Sequence, residues 1–494
     1  LNSNCMHRQI LTALLPVLCI VGAATGGCAV NPATGRSQLM LISEAQEAAM
    51  GREADPQIVA QYGLYDDPLI QEYVQALGED LAAKSERPDL PWSFKVLDDP
   101  LVNAFALPGG YIYVTRGILA HFDSEAELAA VLGHEIGHVT ARHSANQMSK
   151  QTLATGLLIA GTIALDRDDQ YIGALAGAAA QLMFLKFSRD DERQADSLGL
   201  RYIDRQGYDP RPMTNVFQTL GRVSDAAGGP RGPGWTATHP APENRVELLS
   251  AAMAQMNTDF TGRPIHRQEF QAKIDGIVFG EDPREGYFVG NTFYHPGLAL
   301  QLEFPEGWKF QNQRAAVVAL SPQQDAMMQM SLAQAETVAE AEQKFYEQSG
   351  VNRSGNWKPL APPTAVGGEF EVVDPASNQS QEVRGRVAFA QLGDNIYQLL
   401  SYSKSGSWRG YERQLGEAMG SLKPLKDRRY LNVKPKRVTL VTLDRRMTLE
   451  EFQRRYPSNV DLDYLAILNQ AQADTVFEKG AVVKRVVGGE LPGS

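Results

Sequence analysis

Residues 124–148 read SEAELAAVLGHEIGHVTARHSANQM. Ser124, followed three residues on by Glu127, has the form of a capping box, so a helix is expected to start here. With no proline in the way it would run to about Met148. His134 and His138 are four residues apart, which puts both imidazoles on one helix face where they can grip one ion. Glu135 falls about 100° round from His134, beside the open side of that ion. A metal held by neutral ligands lowers the pKa of a bound water towards about 7, and a neighbouring carboxylate can take the proton and hand it to a leaving amine. H-E-x-x-H on a helix therefore points to metal-assisted hydrolysis. The plain alternative is a helix with two solvated or core histidines.

A hydrolytic zinc needs a third protein ligand and an open fourth position. The cysteines are Cys5, Cys19 and Cys28, all at the start of the chain, so the ligand has to be His, Asp or Glu. SRDDERQAD at 188–196 lies in a second predicted helix, 189–206, ended by Gly207 and Pro210. It offers Glu192 and, one turn later, Asp196. Glu192 would complete a His₂Glu set for one Zn²⁺ per chain. Asp196, on the same face, would accept the free N–H of a ligand histidine. His143, five residues past His138, would face elsewhere and be structural, and His121, His266 and His295 have no partners in sequence.

HEIGH at 134–138, ERQAD at 192–196, THP at 238–240 followed by Arg245, and NAFALPGGYIYVTRGIL at 103–119 occur in this order. Together they resemble the gluzincin metallopeptidases of the HtpX and CAAX-prenyl-protease type over roughly residues 40–255. The resemblance implies zinc, endopeptidase activity with Glu135 as the catalytic carboxylate, and Asp196 and Arg245 as supports of the ligands. It places His239 facing the zinc, either donating to the oxyanion of the tetrahedral intermediate or taking the fourth zinc position in a latent enzyme. Asn103, Ala104 and Phe105 would begin an edge strand for an extended substrate, so that cleavage follows unfolded backbone. Integral-membrane members of the family have spanning helices that this sequence lacks, and the chain resembles the periplasmic lipoprotein branch.

The chain has 494 residues, enough for two to four domains, and is 43% hydrophobic. Its formal charge is 47 − 58 = −11, which argues against a nucleic-acid partner. Residues 1–27 have the form of a signal peptide: Arg8, an apolar stretch from Ile10 to Ala24, then small residues. Thr25-Gly26-Gly27-Cys28 resembles a lipobox, with Thr25 in place of the usual Leu or Val. That resemblance implies lipidation at Cys28, and Ala29 after it favours the outer membrane of a Gram-negative bacterium. Residues 28–42 read as a lipidated linker.

The expected fold class is α+β and multidomain. A mainly helical metallopeptidase domain with a small sheet, 43–256, would include a Gly/Ala-rich helical hairpin at 153–165 and 173–187. A linker, 257–287, would lead to an α+β module, 288–425, resembling the PsbP/Mog fold around HPGLALQLEFPEGW. Residues 426–494 would be a basic linker and a small strand–helix–helix–strand module resembling a degenerate LysM. In it Arg446-Met447-Thr448 stands where Gly-Asp-Thr is usual. The functional expectation is a lipid-anchored periplasmic zinc endopeptidase acting on misfolded or unassembled envelope proteins. Its rival is an envelope lipoprotein that holds peptidoglycan or a protein partner, with a latent protease site.

Overall fold

The computed structural model describes residues 28–163, 186–228, 234–239, 244–355, 357–359, 365–372 and 383–492. The signal peptide, most of the second Gly/Ala-rich stretch and Pro240 lie outside them. Two compact units emerge: residues 1–277 with 438–485, and residues 278–437 with 486–494.

The first unit opens with a hairpin, β1 (Cys28–Val30) against β2 (Ser37–Leu39), where a linker was expected. Asn31, just after β1, reaches far along the chain to donate to the Ala141 carbonyl, which ties the hairpin down. Helix α1 (Glu44–Tyr62) starts with a capping box between Ser43 and Gln46. Asp67 caps α2 (Pro68–Ala82), with Pro68 in the first turn, where its missing N–H costs nothing. Strands β3 (Ser93–Leu97), β4 (Ala104–Leu107) and β5 (Tyr111–Thr115) form a sheet in the order β3-β5-β4. β3 runs parallel to β5 and β4 antiparallel to it, so β4 is an edge. Gly109 and Gly110, at φ 85° and 100°, make the turn between β4 and β5.

Six further helices follow: α3 (Arg116–His121), α4 (Glu125–Thr140), α5 (His143–Ile163), α6 (Arg189–Gln206), α7 (Pro212–Ala226) and the short α8 (Trp235–Thr238). Then come α9 (Arg245–Gln255) and α10 (Arg267–Ile274), the latter inside the expected linker and buried through Phe270 and Ile274. Helix α4 is buried on every side from Ala126 to Thr140, as befits the central helix of a core. It differs from expectation at both ends. Ser124 is its N-cap residue but makes no capping bond, and Glu127 instead accepts from the Asp123 N–H and from Gln470. At the other end the helix stops at Thr140, because Arg142 sits at φ 57°. A left-handed residue with a side chain costs about 1–2 kcal/mol. Glu47 Oε1, 3.1 Å from Arg142 Nε, and the Ile42 carbonyl, 2.8 Å from Nη2, hold it there.

The second unit is an antiparallel α+β module. Its strands are β6 (Tyr287–Val289), β7 (Thr292–His295), β8 (Leu300–Glu303), β9 (Lys309–Gln313), β10 (Ala316–Leu320), β11 (Ala326–Leu332), β12 (Val351–Gly355), β13 (Val366–Val372), β14 (Val383–Leu392), β15 (Asn395–Lys404) and β16 (Lys423–Pro424). Seven of them form one sheet in the order β12-β13-β14-β15-β11-β10-β9, and four another, β16-β8-β7-β6. Helices α11 (Val338–Tyr346) and α12 (Trp408–Met419) accompany them. Met328, Leu399, Trp408 and Leu415 are among the residues that fill the larger core cluster. β16 pairs with β8, and the basic stretch expected as a linker from residue 426 holds a short helix α13 (Arg428–Leu431).

The chain then returns to the first unit. β17 (Arg437–Thr442), β18 (Met447–Thr448), α14 (Leu449–Arg455), α15 (Leu462–Leu468), β19 (Val476–Phe477) and β20 (Val482–Val487) pair as β17-β20 and β18-β19 around Leu449, Phe452, Leu465 and Val483. This small module is seated on the start of α4. Lys484 is buried, 2.8 Å from Asp123 Oδ1, and donates to the carbonyls of Ala120 and Phe122, so each of its three N–H groups finds an acceptor. Tyr464 meets the His121 ring at 3.1 Å. Among the described residues no helix is long and apolar enough to cross a membrane.

Candidate metal centre

Helices α4 and α6 cross closely enough to bring their polar groups together, and glycines make the crossing possible. A Cβ on Gly199 of α6 would lie 2.9 Å from the His134 nitrogen, and one on Gly137 of α4 would lie 3.0 Å from the Ala195 carbonyl. A side chain at Gly199 would push the helices apart, and one at Gly137 would press tightly on α6. As a result His134, His138 and Glu192 converge with His239, which follows α8, and one ligand atom from each lies within 4.8 Å of all the others. The two Nε2 atoms of His134 and His138 are 3.0 Å apart. Glu192 lies 3.5 Å from each through its two oxygens. His239 Nδ1 is 3.1 Å from Glu192 Oε1 and 3.5 Å from His134 Nε2. All four side chains are buried.

The ring nitrogens facing away from this centre are held. His134 Nδ1 is 2.9 Å from Asp196 Oδ1. Arg245 Nε in turn donates to Asp196 Oδ2 at 2.8 Å, and its guanidinium covers the Phe217 ring. With Nδ1–H given to Asp196, His134 turns a bare lone pair on Nε2 towards the centre. His138 Nδ1 faces His143 Nδ1 at 2.9 Å, while its ring stacks on Phe187. The structure thus corrects the expectation for His143. The break at Arg142 folds it back against His138, and His143 Nε2 reaches Gln194 Oε1 at 2.7 Å. Trp235, which also had no sequence signal, stacks on His239 with ring centroids 4.1 Å apart.

The electrostatics fit a cation. Every group turned inward is an electron-pair donor, and Glu192 Oε2 has no hydrogen-bond partner among the described residues. Burial opposes charge on His134, yet Asp196 and Glu192 outweigh it and raise the ring's pKa to about 9, so the carboxylates draw positive charge to this point. Burial likewise pushes Glu192 up, but the imidazoles around it, His239 first, hold the carboxylate well below its ordinary range. His138 is held well below the usual histidine value, by burial and then by His134. Burial raises Glu135, and both of its oxygens lack a hydrogen-bond partner among the described residues. Glu135 Oε1 lies 3.5 Å from His239 Nε2. A buried carboxyl without partners is costly, and one with its affinity for protons raised is suited to general-base work.

The remaining sequence candidates are distributed as follows. Ala104 and Phe105 lie in β4, paired with Val114 and Tyr113 across to β5, and the Phe105 ring packs on Tyr113 at 5.0 Å. Phe105 can therefore offer backbone from the edge, its side chain being committed to the core. Asn103 precedes the strand, with its Oδ1 buried and unpartnered among the described residues. Cys28 begins β1. His121 is buried against Gly117 and Tyr464, His295 Nδ1 accepts from the Leu298 N–H, and His266 is largely exposed, 3.9 Å from Glu125. None of these three joins the centre.

Residues 68–253 match the family model described as peptidase family M48. The chain is 32% identical over 253 residues to the beta-barrel assembly-enhancing protease of Yersinia pestis, covering 48% of this chain and 52% of that protein. It is 36% identical over 213 residues to the mitochondrial metalloendopeptidase OMA1 of Arabidopsis thaliana, covering 43% and 41%. With the mitochondrial metalloendopeptidase OMA1 of Schizosaccharomyces pombe it shares 32% over 226 residues, 44% and 64%. The chain spans about half the length of the curated relatives it matches. Within residues 68–253 the chain is thus similar to the metallopeptidases of peptidase family M48.

Proposed function

We propose that the chain is a zinc-dependent endopeptidase, with His134, His138 and Glu192 holding one Zn²⁺ and Glu135 as the catalytic base. The observation that carries this reading is the convergence of three buried donors on one point, with the Glu135 carboxylate beside it, which has no hydrogen-bond partner among the described residues. When bound, zinc supplies Lewis acidity towards a water and a peptide carbonyl. Glu135 takes a proton from the attacking water on its carboxylate and delivers it to the leaving amine. Asp196, fixed by Arg245, keeps His134 in the tautomer that leaves Nε2 free. The edge of β4 takes an extended peptide by strand addition, which asks for unfolded backbone more than for particular side chains. His239 caps the metal position at rest; its Nδ1 lying among the other donors supports this, and Trp235 stacked on its ring holds it in place.

The proposed substrates are misfolded or unassembled envelope proteins. The bacterial relatives' name, beta-barrel assembly-enhancing protease, supports that class. The proposed location is the periplasm, with Cys28 acylated and anchored in the outer membrane, and the leader sequence before Cys28 supports it. We keep Asn103, Ala104 and Phe105 as the start of the substrate edge, residues 288–425 as a PsbP/Mog-like module and residues 437–487 as a LysM-like one. Elemental analysis tests the metal: the folded chain should hold one zinc and lose cleavage of an unfolded protein when a chelator removes it. Cleavage that survives complete removal of metal rules the reading out.

A further inference from the structure

The two histidines of the HEIGH motif are supported differently. His134 gives its outward N–H to a carboxylate, Asp196. Among the described residues His138 has no carboxylate on its Nδ1; it meets the Nδ1 of another histidine, His143, at 2.9 Å. On an unbroken helix a residue five positions on would lie about 140° away, out of reach. The left-handed Arg142 ends α4 and starts α5 at His143, and this reversal is what brings the two rings together. Glu47 and the Ile42 carbonyl fix Arg142. On its far side His143 Nε2 lies 2.7 Å from Gln194 Oε1, an atom that can only accept. Asn31 Nδ2 donates to the same oxygen at 3.5 Å. Asp191 Oδ1, 3.8 Å away, is the nearest carboxylate oxygen to His143 Nε2.

We propose that His143 is a positioning residue for His138: it fixes the tautomer and the angle of that ring, and so sets how tightly the chain holds its metal. The inference rests on the zinc-peptidase reading and adds a residue to it. The order of donors runs one way. Gln194 accepts, so the His143 proton sits on Nε2 and Nδ1 keeps a lone pair. That lone pair accepts from His138 Nδ1–H, which leaves His138 Nε2 bare towards the centre. Outer partners of this kind are worth roughly 10–100-fold in metal affinity. Gln194 stands two residues past Glu192 on α6, so the same helix that supplies a ligand also supplies the end of the relay.

The test is zinc affinity of the full chain by chelator competition, in wild type, His143→Ala, His143→Asn and Gln194→Leu. His143→Ala should weaken zinc binding about 10–100-fold. His143→Asn should recover most of the loss, because its amide oxygen can take the place of Nδ1. Gln194→Leu should fall between wild type and His143→Ala, since the imidazole remains but its proton is no longer directed. Melting of the metal-free proteins controls for folding; should His143→Ala fail to fold, the Asn and Leu variants still decide. Affinity within twofold of wild type in His143→Ala overturns the proposal, and so does an Asn variant as weak as the Ala one, which would mean simple packing. If wild type itself takes up no zinc, the zinc-peptidase reading falls as well.

Discussion

The two units of the molecule spend their interiors differently. The first buries Glu47, Arg87, Arg116, Asp123, Glu127, Glu135, Arg142, Glu192, Asp196, Arg245 and Lys484, together with five histidines. In the second, the buried polar side chains among the described residues are Asp282 and three serines, Ser321, Ser401 and Ser403. Apolar packing alone can hold a seven-stranded sheet, and the second unit does little else. Burying charge opposes folding unless each group is paired. Glu135 apart, many of the first unit's buried charges are paired around α4: Glu47 to Arg142 at one end of it, Lys484 to Asp123 at the other, and Asp196 to Arg245 alongside. The contrast locates the chemistry without any motif.

The largest effects should come from the inward donors. Glu192→Ala and His134→Ala each leave two protein ligands, and zinc content by elemental analysis should drop to a small fraction of one per chain, with cleavage lost. Full zinc occupancy in Glu192→Ala would move the third ligand elsewhere. Next comes Lys484→Met, which keeps the apolar stem but leaves Asp123 buried with only the half-exposed Arg267 against it. Breaking such a pair costs about 3–5 kcal/mol. Denaturant melts should show the first unit losing that much, and a loss under about 1 kcal/mol, the range of surface pairs, would mean the C-terminal module is only loosely seated.

In the second unit, Leu399→Ala removes a fully buried side chain from the sheet and should cost about 2–5 kcal/mol with no change in zinc content. A drop in zinc would mean the contrast between the units is false. The smallest effect is on pH dependence. Burial, helped by Asp123, raises Glu127 from 4.5 to about 7. A carboxyl raised in the folded state binds its proton more tightly there than in the unfolded chain. Its contribution is therefore full below about pH 4.5 and lost as pH rises through about 7. Glu127→Gln should flatten the melting temperature across that window; a slope equal to wild type would assign the titration to another group.

Much of this contrast can be read in the sequence, and the remainder depends on tertiary contacts. Two histidines four apart need only a helix to meet, and Glu192 stands out once cysteine is eliminated. The strands with alternating apolar residues, such as β14 and β15, are legible for the same local reason. Edge strands are not: β9 (KFQNQ) and β12 (VNRSG) lie half in solvent and carry no apolar period. The end of α4 is hidden too, because nothing in TARHS signals a left-handed arginine; Glu47, far upstream, and Ile42 decide it. His143 therefore looks remote in sequence and is adjacent in space. Lys484 looks like an exposed strand residue, since the carbonyls that bury it belong to Ala120 and Phe122.

The central claim is that Glu135 performs the proton transfers at a metal held by other residues, and one substitution separates those two roles. In Glu135→Gln the donors His134, His138 and Glu192 are untouched, so the zinc-loaded protein should keep one metal per chain and melt no lower than wild type. Its rate of cleaving an unfolded protein such as casein should fall by at least about 10²–10⁴, the range for losing a positioned acid–base group. A Glu135→Gln protein that keeps its zinc and cleaves within tenfold of wild type would contradict the account.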